Sequence, residues 1–212
     1  RFLNISIPMH IQWLGQTCVK LQTKNLDEDV VVLLDGYRPE KGDFPRSFTP
    51  QVALYSRGQT DAATLSQNPF VLDTLGECET KGVMIYAIPG SDGNIIYKLN
   101  AEGMNILHLG RQKTKLENDT VEKIGTVDIL LLPVGDGEYM SPENAAALVT
   151  TLEPRIVIPI GHQCDTDSKA KPVSEFIKEL GLKPEATDKK FIIKAKDLPQ
   201  EETKLYVLEK NY

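Results

Sequence analysis

The sequence predicts an α/β fold, sheets flanked by helices, in one domain spanning residues 1–212. Three observations carry this. The runs Val30–Leu34 and Val127–Val134 are continuously apolar at strand length, as strands buried on both faces are. From Asn118 onward, amphipathic helical patterns alternate with apolar strands. With 41% hydrophobic residues over 212 positions, the chain can also bury the core of one domain of this size.

Taken in order, Ile5–Ile7 and Cys18–Leu21 are β-prone runs on either side of Trp13-Leu14-Gly15-Gln16, which reads as a hairpin. Residues 25–29 form a polar turn, and the apolar run Val30–Leu34 ends on Asp35-Gly36, so Asp35 closes a strand. Arg38 to Pro50 is rich in Pro, Gly and charge and reads as an irregular loop. Short strands follow at Val52–Tyr55, Asn68–Asp73, Gly82–Ile88, Ile95–Leu99 and Met104–Leu109. With no helical pattern between them, they suggest antiparallel, meander-like pairing. A helix is predicted at Asn118–Ile124. Another opens at Ser141-Pro142, an N-cap followed by Pro in the first turn, and runs to Leu152. After the strand Arg155–Ile160, the helix Pro172–Leu180 stops at Gly181, and strands at Lys189–Ala195 and Thr203–Leu208 complete the pattern.

Charge removes several function classes. Lys and Arg number 24 against 30 Asp and Glu, and a net charge of −6 offers no general attraction to nucleic acid or anionic lipid. No apolar run approaches the roughly 20 residues of a membrane span. Cys18, Cys78 and Cys164 are odd in number, widely spaced and without a CxxC pair, which predicts free thiols and a cytoplasmic setting. Arg1 rather than Met stands first, so whether a leader precedes it is left open.

One stretch has the layout of a metal-binding turn: the strand Val52–Tyr55 running into Ser56-Arg57-Gly58-Gln59-Thr60-Asp61-Ala62. Together with Trp13-Leu14-Gly15-Gln16-Thr17-Cys18, Leu34-Asp35, His108-Leu109-Gly110, Asp128–Gly135 and Pro154–Pro159, it resembles the metallo-β-lactamase superfamily. The branch it resembles is that of small single-domain bacterial proteins labelled metal-dependent hydrolases of the β-lactamase fold. The resemblance covers nearly the whole chain and implies a four-layer αβ/βα sandwich of two mixed sheets flanked by helices, with a metal site at one edge.

The resemblance also implies a ligand set, and here the sequence departs from it. The family turn His-x-His-x-Asp-His aims imidazoles and a carboxylate at zinc, iron or manganese. Its positions are Arg57, Gln59, Asp61 and Ala62, so one ligand of four is kept. A further His would fall at Gly90 or Ser91, the bridging Asp is replaced by Arg111, and the final His is Gly161, with His162 one position late. An accessory His near the N-terminus is Gln16. A one-residue slip turns a strand side chain to the opposite face, which counts against His162 as a substitute. His108, within an apolar run, reads as a satisfied core residue.

The expectation that follows is a protein of this fold without its metal ligands and without a cofactor, a non-catalytic binder of a small anionic ligand or a protein partner. In it, Arg57 or Arg111 would pair with Asp61 in place of the ion. Its rivals are a metal-dependent hydrolase of phosphodiester or lactone type using other ligands, and a structural subunit of a homo-oligomer. Nucleic-acid and membrane partners are not expected.

Overall fold

The computed structural model describes residues 7–26, 28–40, 42–185 and 188–212. Its first sheet contains β1 (Met9–Trp13), β2 (Val19–Asn25), β3 (Glu28–Leu34), β4 (Val52–Leu54), β5 (Phe70–Leu72) and β12 (Phe191–Ile193), in the order β12-β1-β2-β3-β4-β5. The second contains β6 (Gly76–Thr80), β7 (Val83–Pro89), β8 (Ile95–Ala101), β9 (Met104–His108), β10 (Ile129–Pro133), β11 (Ile156–Ile160) and β13 (Lys204–Leu205), in the order β13-β11-β10-β9-β8-β7-β6. Helices α1 (Asn118–Ile124), α2 (Pro142–Leu152) and α3 (Val173–Leu180) complete the architecture. Both sheets are mixed, as expected: β9, β10, β11 and β13 run parallel, whereas β6 to β9 are antiparallel.

Two corrections concern the first half. The hairpin is present, but its first strand is Met9–Trp13; of the run 5–7, residues 5 and 6 lie outside the described residues and Ile7 is irregular. The meander also breaks after β3, because β3, β4 and β5 pair in parallel. Parallel neighbours need a crossover of about a dozen residues or more, and the loop from Asp35 to Gln51 supplies one.

Alternation in the strands explains the layers. In β3, Val30, Val32 and Leu34 face the second sheet, where they meet Ile85, Tyr97, Ile106 and Leu131 in the central core. On the far side of the second sheet, Leu107, Leu130, Leu132 and Val157 pack against Ile124 of α1, Leu148 and Val149 of α2, and Phe176 of α3. The far side of the first sheet is covered differently. Leu33 packs there with Leu14, Cys18, Tyr37, Phe44, Phe48 and Leu65, so loops rather than a helix close that face among the described residues. No helix is long and apolar enough to cross a membrane, among the described residues.

Candidate functional site

The C-terminal ends of β3 and β4 meet at one rim of the sandwich, and Asp35 organises it. Its backbone is left-handed at φ 50°, a conformation that Asp tolerates better than most residues. Its carboxylate accepts from the Thr17 hydroxyl at 2.8 Å, the Ser56 amide at 2.6 Å and the Ser56 hydroxyl at 2.7 Å. These bonds pin the start of the 56–62 turn to the strand beside it. Below them His108 is fully buried. Its Nε2–H donates to the Thr17 carbonyl at 2.8 Å and its Nδ1 accepts from the Gly110 amide at 3.3 Å, which assigns a neutral ring. Burial pushes its pKa down, against the pull of Asp35 and of the Thr17 bond. His108 is thus a satisfied core residue, as expected.

Around this base lies a cleft of about 230 Å3 whose walls include Gln16, Thr17, Asp35, Tyr55, Ser56, Arg57, Asp61, Ala62 and Arg111. The topology therefore gathers four of the expected site positions: Arg57, Asp61, Ala62 and Arg111. The other four are elsewhere engaged. Gln59 turns away and donates to Asp73 at 2.8 Å. The Ser91 amide is held by Gln112 Oε1 at 2.9 Å in a short helical turn.

Gly161 is excluded for a steric reason. It sits at φ 58°, and a Cβ there would lie 2.9 Å from the ring of Tyr139. Tyr139 is buried, its hydroxyl donates to Asp167 at 2.5 Å, and its ring occupies space into which a side chain at Gly161 would reach. His162 is buried on the neighbouring side against Trp13, with ring centroids 4.1 Å apart. It is not among the residues lining the cleft.

The proposed ion pair with Asp61 is corrected. Arg111 is half-buried and its Nη2 donates to Gln16 Oε1 at 2.9 Å, while its amide donates to Asn94 Oδ1 at 2.8 Å. Arg57 and Asp61 are exposed on the rim, and no ion pair joins Asp61 to either guanidinium among the described residues. One nitrogen of the Arg111 guanidinium is taken by Gln16 instead. Sequence reasoning missed this pairing, as it missed Tyr139; the only trace of the former is that Gln16 and Arg111 both stand at positions where the resemblance expects ligands.

A family model described as a beta-lactamase superfamily domain matches residues 10–161. The chain is 27% identical over 191 residues to a UPF0173 metal-dependent hydrolase of Thermococcus onnurineus, covering 81% of this chain and 83% of that one. Among solved structures it is similar to a candidate Zn-dependent hydrolase of the metallo-β-lactamase superfamily from Thermotoga maritima, at 27% identity and TM-score 0.80 over 95% of this chain and 99% of that one. A metallo hydrolase of Ignicoccus hospitalis shares the fold at 14% identity and TM-score 0.67, over 97% of each chain.

These names correct the expectation of no cofactor, since relatives described as metal-dependent or Zn-dependent hydrolases imply a metal in the family. The side chains present do not fit such an ion. Among the described residues, no three His, Cys, Asp or Glu groups are placed to hold one. At the cleft itself two arginines, Arg57 and Arg111, stand against the two carboxylates of Asp35 and Asp61, so no net negative charge is left to hold a dication.

Proposed function

From a chain that belongs to the beta-lactamase superfamily, we propose a ligand-binding protein whose cleft receives a small anion, best matched by a phosphate group, between Arg57 and Arg111. One observation carries this: Arg57 and Arg111 both line a single cleft, and Arg111 Nη2 is held by Gln16 on the same lining. Guanidinium forks suit phosphate and carboxylate oxygens, and a fork already held in place loses less entropy on binding. The two carboxylates in the lining do not cancel this. Asp35 is turned toward Thr17 and Ser56 by three hydrogen bonds, which occupy most of its acceptor sites. Asp61, the other carboxylate, is exposed to solvent and its screening at the rim.

Isothermal titration with inorganic phosphate tests the proposal. Arg111→Gln is expected to weaken binding roughly 10-fold or more, the range for a charge-assisted hydrogen bond. Asp61→Asn is expected to strengthen binding, because it removes a like charge. Undetectable binding, or binding indifferent to both substitutions, sinks it.

A second reading, metal-dependent hydrolysis of a phosphodiester or lactone, is favoured by the names of the relatives. Metal content of the purified protein, with turnover of both substrate types by the metal-supplemented protein, decides for it or against it. We place the protein in a reducing, cytoplasmic setting, a proposal supported by three free thiols and consistent with the acidic net charge. A second copy of the chain as partner is read out by sizing.

A further inference from the structure

Opposite charges share the cleft without meeting. Arg57 and Asp61 line it from the 56–62 turn, and Arg111 lines it from the loop after β9. Asp35, the other carboxylate of the lining, is engaged by Thr17 and Ser56. Among the described residues, the Asp61 carboxylate takes no hydrogen bond and no ion pair, so it stands ready for a cation beside two guanidiniums that suit an anion.

Both sides of the cleft are anchored. The turn is pinned at Ser56 by Asp35. At its other end the Arg38 amide donates to the Asp61 carbonyl at 2.7 Å, the Ala62 amide donates to the Gln59 carbonyl at 3.1 Å, and Tyr37 and Ala62 face each other as a bridge. Arg111 is tied to Asn94 through its amide and to Gln16 through Nη2. A ligand that reaches from Arg111 to Asp61 therefore finds the backbone of both already held, which lowers the ordering cost of binding.

A bare anion at the arginines is attracted by two guanidiniums and repelled by Asp61. An ammonium group a few bonds away from the anion turns that repulsion into attraction. Size restricts the ligand further: at about 230 Å3 the cleft lies below the roughly 300–1,000 Å3 of ordinary small-molecule sites and suits a short molecule. We propose that this cleft takes a small aminoalkyl phosphate, with its phosphate at Arg57 and Arg111 and its ammonium group at Asp61. This rests on the anion reading above and extends it to a ligand class.

The test is titration of the full chain with inorganic phosphate, ethyl phosphate and O-phosphoethanolamine at low ionic strength, where exposed charges are least screened. The two esters differ by the ammonium group alone. O-phosphoethanolamine is expected to bind about 3- to 5-fold more tightly than ethyl phosphate, the upper part of the range for an exposed ion pair. Asp61→Asn is expected to abolish that gain while strengthening the binding of inorganic phosphate and ethyl phosphate, an opposite change that misfolding cannot produce. Equal affinity of the two esters for the parent chain, or a gain that survives Asp61→Asn, overturns the ammonium contact while the anion reading stands. O-phosphoethanolamine binding that is indifferent to Arg111→Gln also overturns it, since the ammonium group then binds without the phosphate. Absence of binding by all three ligands overturns both readings.

Discussion

His108 and His162 are both buried, yet they meet burial in different ways. His108 has both ring nitrogens satisfied. His162 donates from Nδ1 to the Gln163 carbonyl at 3.3 Å, and its Nε2 is buried without a partner among the described residues. Burial, only partly offset by the Gln163 bond, pushes its pKa down to about 4 from the ordinary 6.5. The unfolded chain binds a proton at His162 that the folded chain refuses between these values, so the stability is fully present above pH 6.5 and is lost as pH falls toward and through about 4. The loss amounts to about 3 kcal/mol at the acid end. We expect His162→Phe, which keeps an aromatic ring against Trp13, to flatten the stability profile between those pH values. Denaturant midpoints across the range measure the slope, which a packing change leaves alone; a variant with the slope of the parent refutes it. Nothing in the sequence indicates this burial beyond the one-residue offset from the expected ligand position. The ring's partner, Trp13, is distant in the chain and reaches it only in the folded sandwich.

At the level of elements, local chemistry and the antiparallel pairing of β1 with β2 and of β7, β8 and β9 were legible, and strand direction in the first sheet after β3 was not. Ser141 caps α2 by accepting from the Asn144 amide at 3.3 Å, with Pro142 in the first turn, and Gly181 ends α3 in the left-handed region. Ser141→Ala should therefore cost about 1 kcal/mol in thermal or chemical unfolding. Strand β6, Gly76–Thr80, went unread because its residues are exposed or half-exposed and carry no apolar alternation; its partner β7 defines it. The parallel run β3-β4-β5 went unread because a strand's own pattern does not encode direction. The end of β11 shows how an element constrains the site. Gly161 combines a positive φ with the Tyr139 ring packed over it, so Gly161→Ala meets both backbone strain and overpacking. A loss of about 2 kcal/mol or more is expected. Tyr139→Ala in the same chain should recover the packing share and leave the backbone share. A double-mutant cycle separates the two, and simple additivity would show that Tyr139 is not what closes this position.

Across the whole molecule, the site is where two sheets come to a common rim, and it depends on how they are held together. The substitutions at Arg57, Gln59, Ala62, Arg111 and Gly161 were readable as identities; that Gln59 leaves the cleft for Asp73, and that Gln16 takes Arg111, depends on three-dimensional placement. One buried side chain ties this rim across the sheets. Tyr97 of β8, in the second sheet, has its hydroxyl 3.0 Å from the carbonyl of Tyr55, which follows β4, and 2.9 Å from that of Leu72 in β5 of the first sheet. Burial pushes its phenol pKa up, so the proton stays in place across the accessible pH range. The Leu72 carbonyl keeps a second donor, the Tyr55 amide at 3.1 Å, whereas among the described residues the hydroxyl is the donor found for the buried Tyr55 carbonyl. Tyr97→Phe conserves shape and removes one proton donor, so it should cost about 1–2 kcal/mol of stability. Tyr55 leads directly into the 56–62 turn, so the same variant should also weaken phosphate binding at Arg57 and Arg111, though less than Arg111→Gln does. Tyr97→Leu adds a cavity and should cost more. If Tyr97→Phe lowers stability and leaves phosphate affinity unchanged, the cleft is held by Asp35 alone and the tie between the sheets serves the fold but not the site.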